Sequence, residues 1–281
     1  MAGDIRQLFR LYALYGRMDL NWFLQDMVTC VIVMASELIA NVASVAGILL
    51  LSVRFGGVGG LSADEVLFML GFFQLADGFA YMMFGGGNVL AISRRAGRGQ
   101  VDHMLIQPRP LWMQLMGEGF MPVSGSSGFL MGIAVTWIAC ARLGISVTPA
   151  WFMAFAFYVA CHAAIKIGLG YLSGSAAFYR PVACEELSAQ VLNMVNLLGK
   201  YPLAGLPLWA TAALTTVLPA GLMAYIPSLA LLGRLEKRPH LALPLAVAAA
   251  LLSAATYFFR RGLRYYAEYG CNRYRDIGHR N

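Results

Sequence analysis

Residues 27–53 read MVTCVIVMASELIANVASVAGILLLSV, an apolar run broken only by Thr29, Ser36, Glu37, Asn41, Ser44 and Ser52. About 20 apolar residues suffice for a helix to cross the hydrocarbon of a bilayer, so the run is long enough to span. The rest of the chain has the same character. Of its 281 residues, 59% are hydrophobic and 12% charged. A soluble domain is nearer half apolar and a quarter charged. So few charges cannot cover a water-exposed globule, and the composition equally excludes intrinsic disorder. Cysteines at 30, 140, 161, 184 and 271 form no spaced framework, which excludes a disulfide-stapled secreted scaffold. The chain therefore reads as an all-α polytopic membrane protein.

Upstream of the run, Ile5, Leu8, Phe9, Leu11, Tyr12, Tyr15, Trp22 and Phe23 recur at helical spacing, with arginines and acids between them. This is the pattern of an amphipathic helix lying in the membrane interface. Arg6, Arg10 and Arg17 interrupt any signal-peptide core. Downstream, a turn rich in glycine (54–65) leads to a second span over 66–92. A polar segment, 93–118, follows, in which Pro108 and Pro110 end any preceding helix. Third and fourth spans are expected over about 120–141 and 151–178.

Residues 187–232 are apolar, but Pro202, Pro207, Pro219 and Pro227 break them. That predicts one span plus a broken or re-entrant element, which survives at membrane depth only where protein or water satisfies its backbone. A last span, about 241–259, stops at Arg260, Arg261 and Arg264. The expectation is one domain, 1–281, with about six transmembrane helices. It divides into an interfacial helix 1–26, spans one and two 27–92, a cytoplasmic segment 93–118 and spans three and four 119–178. Span five with the re-entrant element follows over 184–235, then span six 240–260 and a tail 261–281.

The net charge is +7, from 21 Lys and Arg against 14 Asp and Glu. Many of the cations sit beside apolar runs, as the positive-inside rule expects of cytoplasmic loops. Segment 93–118 and the C-terminus are the basic ends, so both are expected in the cytoplasm, and with six spans the N-terminus joins them. Arg234, Lys237 and Arg238 break the pattern, since they would then face outside. The C-terminal arginines and tyrosines adjoin a span, which favours anionic lipid headgroups over nucleic acid.

No catalytic or metal-binding pattern stands out. Gly199-Lys200 is followed by Tyr201 rather than Ser or Thr, and no phosphate-binding loop surrounds it. HExxH, GxSxG and metal-spaced His/Cys clusters are absent from the sequence. The chain is therefore not expected to hydrolyse ATP, nor to be an enzyme.

The most distinctive segment runs from Arg98 to Pro108. It reads as a short amphipathic helix between two spans, with Val101, Met104 and Leu105 on its apolar side. The order Gly99-x-Val101-Asp102-x-x-Leu105-x-x-Pro108, after an interfacial helix and two spans, resembles permeases of the type-2 ATP-binding-cassette exporter family. The six-span bacterial subfamily of transport permeases is the nearer likeness. Tyr201-Pro202, Tyr225-Ile-Pro227 and the run Phe259 to Arg264 are similar to it as well. The glycine of the pattern is Gly99 or Gly97, and His103-Met104 stand where the subfamily often has a second Leu.

The resemblance implies that the segment is a coupling helix, contacting ATPase subunits through Gly97, Arg98, Gly99, Val101, Asp102, His103, Leu105 and Pro108. It implies two separate ATPase subunits carrying ATP and Mg, a second permease chain that is the same or related, and alternating access driven by the motors. No cofactor is implied in this chain itself. The resemblance and the membrane body together place the protein in a bacterial inner membrane, with small amphipathic compounds, cations among them, as cargo.

A charge at mid-bilayer costs about 2.5–3.5 kcal/mol on insertion scales, so each one calls for a reason. Glu37, Asn41, Gln74, Asp77, His162 and Lys166 are the candidate polar residues of the pathway. Glu37 and Asn41 share a face, as do His162 and Lys166. An ion pair of Lys166 with Glu37 or Asp77 would brace the bundle, whereas Glu37 or Asp77 standing alone would suit a cationic cargo. Gly128-x-x-x-Gly132 and Gly170-x-x-x-Gly174 read as close-packing sites. Glu185 and Glu186 read as a solvated helix start. The alternative function is a self-sufficient channel or secondary transporter with a Glu/Asp/Lys relay, which internal inverted repeats would support.

Overall fold

A computed structural model describes residues 2–85, 89–235 and 239–270. Most of these residues are helical, with no strand among them. The chain opens with α1 (Ala2–Gln25) and, after one residue, α2 (Met27–Arg54). Asp26 makes the junction by accepting a hydrogen bond from the Thr29 backbone N–H at 3.2 Å, which caps α2. A tight turn with left-handed Gly56, Gly59 and Gly60 leads to α3 (Ala63–Phe84). There Ser62 and Glu65 form a reciprocal capping box.

Three short helices follow: α4 (Ile92–Gly97), α5 (Val101–Leu105) and α6 (Leu111–Gly117). Then come α7 (Ser127–Leu143) and α8 (Pro149–Gly174). Left-handed Gly144 ends α7, and Thr148 with Pro149 starts α8. The helices α9 (Leu187–Leu198), α10 (Leu208–Thr216), α11 (Tyr225–Leu231) and α12 (Pro239–Tyr269) complete the chain.

Among the described residues, four helices are long and apolar enough to cross a membrane: α2, α3, α8 and α12. The expected third span is α7, a shorter apolar helix of 17 residues. The expected fifth is divided. Helix α9 has only 12 residues, and beyond Pro207 the segments Leu208–Thr216 and Pro219–Leu231 form a pair bent by 68°. This is the broken element that the prolines predict. The last helix differs from expectation, because α12 runs on through Arg260, Arg261 and Arg264 to Tyr269. Arginine is a good helix former, so the apolar stretch stops there while the helix does not.

Helix α3 lies in the middle of the bundle and buries most of its length. Its contact with α7 is backbone on backbone. A Cβ on Gly71 would come within 2.7 Å of the Thr136 nitrogen, and Cβ atoms on Gly78 and Gly132 would overlap the facing main chains at Phe129 and Leu75. The small residues act as the sequence suggests. Helix α12 packs on α8, where Gly168 meets Leu251.

Arginine–carboxylate contacts lie at both ends of the bundle. At one end Arg142 approaches Asp64 at 3.4 Å, and Arg234 bonds Glu65 at 2.7 Å and the Gly60 carbonyl at 3.0 Å. At the other end lie α4 to α6, the connection from α8 to α9, and the last turns of α12. Arg234 therefore carries a bonded counter-charge. Lys237, Arg238 and tail residues 271–281 lie outside the described residues.

Candidate functional site

The polar segment after α3 builds a platform. Gly99, with φ of +72°, turns the chain between α4 and α5. The short amphipathic helix expected between Arg98 and Pro108 is the five-residue α5, set off from α4 by this turn. A positive φ costs little for glycine and interrupts the i to i−4 ladder. Val101 and Met104 are buried beside Ile92, Ala96, Phe178, Phe259 and Tyr266. Leu105, expected with them, is instead 43% exposed, and Ile106 is 82% exposed. Asp102, His103, Gln107, Pro108 and Arg109 also face outward. Gln114 folds this stretch back by donating to the carbonyls of Met104 (2.9 Å) and Arg109 (2.8 Å).

The platform is fastened to the connection between α8 and α9. Arg94 grips Glu186 with two hydrogen bonds, Nε to Oε1 at 2.7 Å and Nη2 to Oε2 at 2.6 Å. Arg98 Nε donates to Glu185 at 2.6 Å. The Ser93 hydroxyl donates to the Glu185 carbonyl at 2.7 Å and meets the Ser188 hydroxyl at 2.8 Å. A Cβ on Gly97 would come within 2.7 Å of the Pro181 carbonyl oxygen, so the two backbones touch there. Glu185 and Glu186 stand at the start of α9, as expected, with Glu186 44% exposed, and both are also partners of arginines. Hydrogen bonding by Arg94 holds the Glu186 carboxyl below its ordinary pKa. Of the coupling candidates, Gly97 and Arg98 serve this internal anchorage. Asp102, His103, Leu105 and Pro108 present the outer surface.

The second constellation lies inside the bundle. Lys166 on α8 forms an ion pair with Asp77 on α3. Its side chain is only 4% exposed. One turn earlier, His162 Nδ1 lies 3.0 Å from the Met223 carbonyl oxygen, so Nδ1 is the donor. Its Nε2 lies 3.6 Å from Asp77, too far for a hydrogen bond. Of the two acids offered to Lys166 by the sequence, Asp77 takes it, and Glu37 does not. Glu37 accepts instead from the Ser127 hydroxyl at 2.9 Å. The amides of Asn41 and Gln74 both approach Gly128.

The aromatics of α3 are packing groups: Phe72 meets Phe155 edge-on, and Phe73 meets His162. Sequence reasoning missed Lys200, whose ammonium donates to Ser44 at 2.9 Å and lies 5.6 Å from the centre of the Phe73 ring. The signal was the lysine of Gly199-Lys200-Tyr201, set aside there because no phosphate loop surrounds it. Among the described residues no three His, Cys, Asp or Glu side chains gather to hold a metal ion.

Long apolar helices, a buried intramembrane ion pair and a fastened polar platform at one end define a multi-pass membrane protein. Its sequence matches the family described as ABC-2 family transporter protein over residues 38–270. The chain belongs to that family. Such proteins are generally the membrane subunit of a transporter, not its ATPase, and normally work with ABC ATPase partners. Neither a search of curated proteins nor one of solved structures finds a match.

Proposed function

We propose that this chain is the permease subunit of an ATP-driven exporter in a bacterial inner membrane, moving a small amphipathic compound out of the cytoplasm. The observation that carries this reading is the platform of α4 and α5. It presents Asp102, His103, Leu105 and Ile106 to the exterior, and two Arg–Glu contacts tie it to the membrane body. A soluble motor docking there would push on α8 and α9 directly. Two ATPase subunits would supply ATP and Mg, and a second permease, identical or related, would complete the pathway. In this reading the basic platform end is cytoplasmic by the positive-inside rule, and α7 and the α9–α11 region complete six crossings.

The relay alternative has less support. It needs titratable groups in a chain, whereas Asp77, His162 and Lys166 form one closed cluster and Glu37 stands apart on α2.

Purification of the tagged chain from its host in mild detergent tests the proposal. Expected is a stoichiometric ATPase that is lost from Ile106→Asp and Asp102→Lys variants while the permease stays monodisperse. No ATPase in several detergents, or full retention by both variants, overturns it.

A further inference from the structure

Glu37, Asn41 and Ser44 occupy positions i, i+4 and i+7 of α2, and so share one face. That face meets Ser127 of α7, the Gly128 backbone with Gln74 of α3 beside it, and Lys200 just beyond α9. A polar seam thus runs between α2 and the closely packed α3–α7 pair. Glu37, Asn41, Ser44 and Lys200 along it are half-buried. The wall formed by α2 is light. Over its whole length α2 buries only Cys30, Val45, Ile48 and Ser52.

The seam carries a carboxylate toward one end and an ammonium toward the other. Glu37 is ten residues from Met27, and Ser44, which marks the level of Lys200, is ten from Arg54. At 1.5 Å per residue each lies about 15 Å from the nearer end of α2, well inside the membrane. Among the described residues, one hydroxyl is the hydrogen-bond partner of each: Ser127 for Glu37 and Ser44 for Lys200. A hydroxyl offers a dipole where a charge removed from water needs an opposite charge. Asp77 is ion-paired with Lys166 and acts on Lys200 only through space, in competition with the Lys166 ammonium. Glu37 and the level of Lys200 are seven residues apart along α2, about 10 Å, which is too far for a direct ion pair. A purely cationic cargo would satisfy Glu37 but would place its charge near the Lys200 ammonium. A purely anionic one has the reverse fault.

We propose that the seam between α2 and the α3–α7 pair binds a zwitterionic amphiphile, with its cationic group at Glu37, its anionic group at Lys200 and its apolar tail along the lipid-facing side of α2. The Phe73 ring under Lys200 closes the floor at the anionic end. The assignment of this ligand as cargo rests on the exporter reading; the binding site does not.

The purified full chain in maltoside is titrated with three probes that share a twelve-carbon chain, the carboxyl carbon of laurate included: dodecyltrimethylammonium, laurate and dodecyl sulfobetaine, each below its micellar concentration. Binding is read by competition against a dansyl-labelled sulfobetaine. The zwitterion should bind at least tenfold more tightly than either singly charged probe. Glu37→Gln should reduce its affinity to that of laurate, and Lys200→Gln to that of the ammonium probe. Lys200→Arg, which keeps the charge, should bind nearly as the parent does. Size-exclusion profiles verify that each variant is folded. The proposal is overturned if the cationic probe binds as tightly as the zwitterion, or if a monodisperse Lys200→Gln chain binds the zwitterion unchanged. Failure to copurify an ATPase would remove the exporter reading and leave this result standing.

Discussion

Arg94 and Glu186 face each other through two parallel hydrogen bonds, across a gap of 92 residues in sequence. Bidentate pairing of this kind fixes direction as well as distance. Both side chains are 44% exposed, so the pair contributes little to folding. On the exporter reading its value lies in transmission. Arg94→Glu should leave the melting temperature within a few degrees and abolish cargo transport. The charge-swapped double variant Arg94→Glu/Glu186→Arg should restore most of it. Transport assays in proteoliposomes with the ATPase check this, and a double variant as inactive as the single one would refute it.

The same pair predicts a pH response. Arg94 lowers the Glu186 pKa below the ordinary carboxylate value of about 4.3. A depressed pKa gives a contribution that is complete above the ordinary value and is lost as the pH falls through the lowered one. Coupling through this contact should therefore be level from pH 5.5 to 7.5. ATPase stimulation measured across that range, with Glu186→Gln as reference, tests it.

Lys166 is a deeper commitment. Removing one partner of a buried ion pair leaves the other charge stranded, at a cost of about 3–5 kcal/mol. Lys166→Met should lower the apparent unfolding temperature strongly. Lys166→Met with Asp77→Leu should recover much of the loss, because neither charge then remains. Fluorescence-detected size exclusion after heating gives the comparison.

Glycine positions separate contact from open space. Gly132→Val would drive a side chain into the α3 backbone at Leu75, and overpacking typically costs about 1–3 kcal/mol. At Gly47 a Cβ meets nothing within 4 Å, so Gly47→Ala should express and fold as the parent does. Yield of monodisperse protein distinguishes the two.

Orientation has its own test. Single cysteines at Gly60 and Ile106, in a background without the native ones, should react with a membrane-impermeant maleimide from opposite sides. Gly60 should label in intact cells and Ile106 only after lysis. Labelling of both from one side would contradict the arrangement.

Much of this architecture is legible in local sequence, because span length, proline breaks and glycine spacing are short-range properties. The apolar run around Glu37 announces α2, and Pro207 with Pro219 announces the bent pair. What escapes is pairing at a distance. Nothing near Arg234 points to Glu65, so its counter-charge cannot be inferred from the run Arg234 to Arg238. Lys166 had two acids within reach of the pattern, and only packing selects Asp77. At the platform, spacing placed Leu105 with Val101 and Met104. In the structure α5 buries Val101 and Met104 and leaves Leu105 exposed. Lys200 was hidden because its meaning depends on Ser44 and Phe73, each more than a hundred residues away.

Asp19 has a consequence of another kind. Its carboxylate lies almost buried beneath the approach to α7, accepting from the backbone N–H of Val123 at 2.7 Å and of Ser124 at 3.1 Å, and from the Ser124 hydroxyl. The first helix is thus a keystone for a turn about a hundred residues downstream. An N-terminal truncation would strip two amides of their acceptor and loosen the base of α7. Expression strategies that trim this end would alter the molecule they aim to simplify.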